Sequence, residues 1–127
     1  MTGWETVRVP ASSANLGPGF DTLAIALGLY LECRCRPADR LEVRVAGRDA
    51  GLIPVDDSNL IWRTAVEAAR TAGAALPPIE LEIHNQIPVG KGLGSSAAAL
   101  VAGLVMADRV AGLGLTRERV LDQAARL

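Results

Sequence analysis

Residues Pro88 to Ala99, PVGKGLGSSAAA, set a glycine-dense turn directly against a helix of small residues, and no other stretch restricts the folding of this chain as strongly. Gly90, Gly92 and Gly94 alternate, so the backbone is free to take positive φ and to approach a bound group with no Cβ atoms in the way. The helix that follows begins with amides that have no acceptor inside it. Successive N–H groups converging from a turn and a helix start make a site for an anion such as phosphate. Ser95 and Ser96 open the helix, and either hydroxyl can cap it or contact a phosphate or a magnesium ion. The pattern is not that of the common nucleotide-binding turns. No lysine precedes a serine or threonine, as a P-loop requires, and the glycine spacing is not that of a dinucleotide turn.

A second unusual segment, Pro10 to Asp21 (PASSANLGPGFD), follows the strand-like run Thr6 to Val9. Gly17, Pro18 and Gly19 punctuate the backbone, while Ser12, Ser13, Asn15 and Asp21 offer polar side chains of short reach. Alone it reads equally well as a structural turn in which Asn15 and Asp21 bond nearby backbone. Beside the glycine-rich segment it reads as a site loop.

The rest of the chain supplies a scaffold and excludes several functions. Its 127 residues suit one domain, and a content of 50% hydrophobic and 21% charged residues can fill a compact core. Thirteen basic residues against fourteen acidic ones leave a net charge of -1, which gives no field to draw nucleic acid. The one lysine, Lys91, falls inside the glycine-rich segment, a placement that reads equally well as chance or as an ammonium set to reach a phosphate. The longest apolar run, Ala97 to Ala107, is too short for a bilayer, and the N-terminus has no basic segment leading into an apolar one, so a cytoplasmic protein with no membrane partner is expected. Cys33 and Cys35 alternate on one strand face and read as ordinary thiols, and the lone His84 reads as structural or solvent-facing.

Alternating patterns predict strands over Thr6–Val9, Tyr30–Arg36, Leu41–Ala46 and Ile79–His84. Helices are predicted from Asn59 to Thr71, from Ser95 or Ser96 to about Ala111, and again from Thr116. For the first, Ser58 is the expected N-cap, Gly73 the stop, and Leu60, Ala65, Ala68 and Ala69 the apolar side. Gly47 to Ser58 reads as a polar, flexible loop. These elements make an α+β layer.

With both unusual segments in view, the chain resembles the homoserine kinases of the GHMP kinase superfamily. PASSANLGPGFDTL and IPVGKGLGSSAAA carry the likeness, with DSNLI at Asp57 to Ile61 between them. The resemblance implies a left-handed βαβ layer, the fold shared with the second domain of a small-subunit ribosomal protein, against the usual right-handed rule. It implies transfer of a phosphoryl group from ATP, with Mg2+, to the hydroxyl of L-homoserine in threonine biosynthesis. ATP would lie against Pro88, Val89, Gly90, Lys91, Gly92, Leu93, Gly94, Ser95, Ser96, Ala97 and Ala98, with Ser96 ahead of Ser95 as the metal contact. Asn15 and Asp21 would bind homoserine. Asn59 would contact the nucleotide or cap its own helix, readings the residues leave open. The family's acidic magnesium ligand and second domain lie past a third helix, so residues 1–127 are expected to be an N-terminal portion, inactive or nearly so alone, and a homodimer is compatible with it. A sister kinase acting on another alcohol and a non-catalytic nucleotide binder remain the alternatives.

Overall fold

A computed structural model describes residues 3–11, 29–89 and 94–114. Asn15, Asp21, the segment Gly90, Lys91, Gly92 and Leu93, and the helix expected from Thr116 lie outside the described residues. Four strands, β1 (Glu5–Pro10), β2 (Tyr30–Pro37), β3 (Glu42–Gly47) and β4 (Ile79–Asn85), form one sheet in the order β1-β2-β4-β3. Each lies within one residue of its predicted bounds at either end. β1 pairs with β2 and β2 with β4 antiparallel, while β3 pairs with β4 in parallel. Parallel neighbours need a crossover, and helix α1 (Leu60–Thr71) supplies it. Helix α2 (Ser95–Ala111) follows β4.

Strand alternation sorts the side chains onto two faces. Val7, Val9, Leu31, Cys33, Cys35, Val43, Ile79, Leu81 and Ile83 are buried on one face, where α2 covers β1 and β2 with Ala98, Ala102 and Met106. A fully buried branched side chain such as Leu81 contributes about 2–3 kcal/mol by removal from water. Burial also pushes the Cys33 thiol up to about 12 and that of Cys35 to about 11, so both are protonated, unreactive packing groups. The Arg109 guanidinium, in the last turn of α2, donates to the Thr6 carbonyl and ties that end to β1.

The opposite face is a lattice of paired charges. Glu80 accepts from Arg44 and from Arg36 (2.8 Å), and Glu82 accepts from Arg34 and from Arg44 (3.0 Å). Arg44 and then Arg36 hold the Glu80 carboxyl below the usual carboxylate range, as Arg34 and then Arg44 do for Glu82. Arg34 and Arg36 also stack on Trp4. Their positive charge is spent locally. His84 is exposed on this face, in keeping with the solvent-facing reading. Among the described residues no helix is long and apolar enough to cross a membrane.

Three local expectations are corrected. The N-cap of α1 is Asn59, not Ser58. The backbone N–H and hydroxyl of Ser58 both donate to Asp56 Oδ1, which closes a tight turn one residue too early for capping. The buried stripe of α1 is Ile61, Thr64, Ala65 and Ala69, whereas Leu60 is exposed and Ala68 only half-buried. Helix phase decides this: Ile61 and Thr64 face Gly103 of α2, and Leu60, one residue earlier, is turned off the contact. The expected end of α1 holds, with Ala74 N donating to Ala69 O (2.8 Å) and Gly73 N to Arg70 O (3.0 Å), as in a Schellman stop. Lastly, Gly47 to Ser58 is no loose loop. It contains a 3-10 turn, Ala50–Leu52, and makes hydrogen bonds at Asp49 and Pro54 to other parts of the fold.

Candidate functional site

The two helices begin differently, and the difference locates the site. At α1 the Asn59 side chain is nine-tenths or more buried; its Oδ1 accepts from Ile61 N (3.0 Å) and Trp62 N (3.2 Å), and its Nδ2 donates to Pro54 O (2.8 Å). Those amides are occupied. At α2 the N-cap is Gly94, at φ 79° and ψ 30°, which has no side chain to offer. Ser95 and Ser96 stand inside the helix, so neither is the N-cap, and the left-handed glycine turns the chain into α2 in their place. By helix geometry the amides of Ser95, Ser96 and Ala97 lack intrahelical acceptors, and the positive end of the helix dipole sits with them.

Between the two helix starts lies a cavity of about 180 Å3. Leu52, Ile53, Pro54 and Leu60 form an apolar wall, Leu31 and Ile83 the sheet side, and Val89, Ser95, Ser96 and Ala99 the side of α2. Asn59 also lines it, with its polar atoms turned to the cap and to Pro54. An apolar slot opening on uncapped amides suits a ligand with a flat apolar part and an anionic part. Two larger concavities are open grooves. One, of about 460 Å3, lies over the paired Arg34, Arg44 and Glu82 of the outer sheet face; the other, of about 600 Å3, runs along α1 beside Arg63 and Glu67. Neither meets the start of α2.

Thus Asn59, Val89, Ser95 and Ser96 converge on one cavity, with Pro88 and Gly94 adjoining and Ala97 and Ala98 in the first turn of α2. Asn15, Asp21, Gly90, Lys91, Gly92 and Leu93 lie outside the described residues. Reading the sequence missed Leu52, Ile53, Pro54 and Leu60, because their segment lacks alternation or helical period and Leu60 resembles a core residue. Among the described residues no group of three or more His, Cys, Asp or Glu could hold a metal ion. A serine hydroxyl at the start of α2 can be one ligand of a hard cation and needs carboxylate help from elsewhere.

The Asn59 cap yields a direct test. Asn59→Ala removes two accepted hydrogen bonds and one donated one, and is expected to lower the unfolding free energy by about 2 kcal/mol in denaturant titration. Asn59→Asp keeps the acceptor for both helix amides but sets a carboxylate oxygen against Pro54 O, and is expected to recover only part of that loss. Equal stability of Asn59→Ala and wild type would exclude the capping role.

Residues 59–127 match the family model described as GHMP kinases N terminal domain. The chain is similar to a homoserine kinase of Solibacter usitatus, with 60% identity over 124 residues, 98% of this chain and 41% of that protein. It is 50% identical over 121 residues to a homoserine kinase of Deinococcus radiodurans, covering 95% of this chain and 39% of that one. Among solved structures, the homoserine kinase from Cytophaga hutchinsonii matches with a TM-score of 0.70 and 28% identity, over 99% of this chain and 41% of that chain. The chain therefore spans about two fifths of the length of these relatives.

Proposed function

The chain belongs to the GHMP kinases, carrying their N-terminal domain, and on that premise we propose that the protein containing it is a homoserine kinase, moving the γ-phosphoryl group of ATP to the side-chain hydroxyl of L-homoserine. The observation that carries the reading is the apolar cavity opening on the uncapped start of α2. The adenine ring takes the wall of Leu52, Ile53, Pro54 and Leu60. The phosphates take the amides from Gly90 to Ser96, with Lys91 adding its ammonium. Pro88, Val89, Ala97 and Ala98 shape that turn and the first helical turn.

Magnesium, held in part by the Ser96 hydroxyl or secondarily by that of Ser95, would neutralise phosphate charge. Asn15 orients the hydroxyl or carboxylate of homoserine, and Asp21 pairs with its ammonium. The chain's contribution is positioning and charge neutralisation, with no general base assigned. In this proposal residues 1–127 are one N-terminal domain with a left-handed β3–α1–β4 crossover, like that of the ribosomal protein domain. A second domain and an acidic metal ligand belong to the rest of the protein. The product, O-phospho-L-homoserine, serves threonine synthesis in the cytoplasm.

The experiment is an acceptor panel on the complete protein with ATP and Mg2+, comparing L-homoserine, mevalonate and galactose and following phosphate esters by phosphorus NMR. L-Homoserine is expected to have the highest kcat/KM by well over about ten-fold, the scale set by pairing a substrate charge inside a site. A preference for another alcohol would reassign the substrate, and ATP binding without transfer would leave a nucleotide binder. In the same assay Asp21→Ala is expected to raise the homoserine KM about a hundred-fold, as loss of a charge pair does, while the ATP KM stays within about two-fold. Equal changes in both would remove Asp21 from the acceptor pocket.

A further inference from the structure

The turn after β3 reaches across to the residue that leads into the glycine-rich segment. Gly47, the last residue of β3, lies opposite Asn85, the last residue of β4. A Cβ on Gly47 would stand 2.2 Å from the Asn85 carbonyl oxygen, so the two strand ends meet more closely than any other residue permits. Arg48 N donates to that carbonyl at 2.7 Å. The buried Asn85 side chain completes a clasp: Nδ2 donates to Arg48 O (2.9 Å) and Ile87 O (2.7 Å), and Oδ1 accepts from Ile87 N (3.1 Å).

Held by this clasp, the next residue, Asp49, adopts φ 55°, and it is the one non-glycine at positive φ among the described residues. Its Oδ2 accepts from Val89 N at 2.9 Å, across 40 positions of sequence. Val89 directly precedes residues 90–93, and Gly94 follows them. The left-handed backbone of Asp49 is an unfavourable state whose local return is the aim of its carboxylate.

We propose that Asp49 is a positioning residue for phosphate binding: its carboxylate holds the Val89 amide and so sets the direction in which the chain leaves β4 for the glycine-rich segment. The proposal rests on the kinase reading above. It assigns Asp49 no contact with either substrate. A misdirected segment would spread the amides that must converge on the phosphates, so the effect falls on ATP and spares the acceptor.

The test uses two variants of the complete protein that both tolerate a left-handed backbone. Asp49→Gly removes the acceptor oxygen and is expected to raise the ATP KM about ten-fold while the homoserine KM stays within about two-fold. Asp49→Asn keeps an acceptor oxygen and is expected to stay within about two-fold of wild type for both. Hydrogen exchange on the wild type supplies a measurement independent of variant folding, with a protected Val89 amide expected. Equal ATP KM values for the two variants, equal rises for both substrates, or rapid exchange at Val89 would each overturn the role of Asp49. A wild-type protein unable to phosphorylate homoserine would instead overturn the kinase reading on which that role rests.

Discussion

Gly94→Val in the complete protein is expected to weaken ATP binding about a hundred-fold, while Gly112→Val, at the other end of the same helix, leaves it within about two-fold. Both glycines have left-handed backbones, φ 79° at the start of α2 and φ 65° at its end. A β-branched residue pays about 1–3 kcal/mol to remain there, and the upper end of that range corresponds to the hundred-fold. The two sites differ in what depends on the strained conformation. At Gly112 a Cβ would meet nothing within 4 Å and no ligand is assigned, so the strain is expected to appear only as lower stability. At Gly94 the same conformation aims the amides of Ser95, Ser96 and Ala97, so relaxing the backbone disperses the donors that the phosphates need. Isothermal titration with ATP, alongside denaturant unfolding of each variant, separates the outcomes. Unchanged affinity in Gly94→Val would remove the start of α2 from the phosphate site, and equal losses in both variants would show a general effect of helix strain.

Gly103→Ala is expected to destabilise the protein by about 2 kcal/mol, and Gly103→Val by about 3 kcal/mol or more. In an unpacked helix the alanine substitution should have the opposite sign, since alanine is favoured over glycine by about 1 kcal/mol. Packing reverses it. A Cβ at Gly103 would lie 2.7 Å from the Ile61 carbonyl oxygen and 2.7 Å from Thr64 Cβ, both on α1. A backbone carbonyl inside a helix cannot swing aside as the tip of a long side chain can, so α1 must shift as a body. That shift carries Asn59 and Leu60, two walls of the cavity, and the ATP KM is expected to rise together with the loss of stability. Urea titrations with an unchanged m-value would confirm a packing effect. A stabilised Gly103→Ala would mean that the two helices do not meet at this glycine.

The same contact shows why part of the site was legible in the sequence and part was not. Strand positions follow from alternation, a property of neighbouring residues, and the four strands accordingly lie where the pattern puts them. The start of α2 at Ser95 and its end at Gly112 follow from local chemistry for the same reason. Asn59 was legible in identity and ambiguous in role, because an asparagine before a helix can cap it or face a ligand; its burial and three hydrogen bonds establish the cap.

The amino-acid sequence by itself determined the elements of this protein, the α+β class, the glycine-rich segment that leads into α2, and the kinase family, since each depends on the order of residues along the chain. Only the tertiary structure decided which side of α1 is buried, that Leu60 lines a cavity, and that Asp49 reaches Val89. Those outcomes depend on how closely separate elements approach. The approach of α1 to α2 is set by the missing Cβ of Gly103, and that of β3 to β4 by the missing Cβ of Gly47, against partners about forty residues away in each case. Local patterns carry no information about such distances, because the atoms that limit them belong to different parts of the chain.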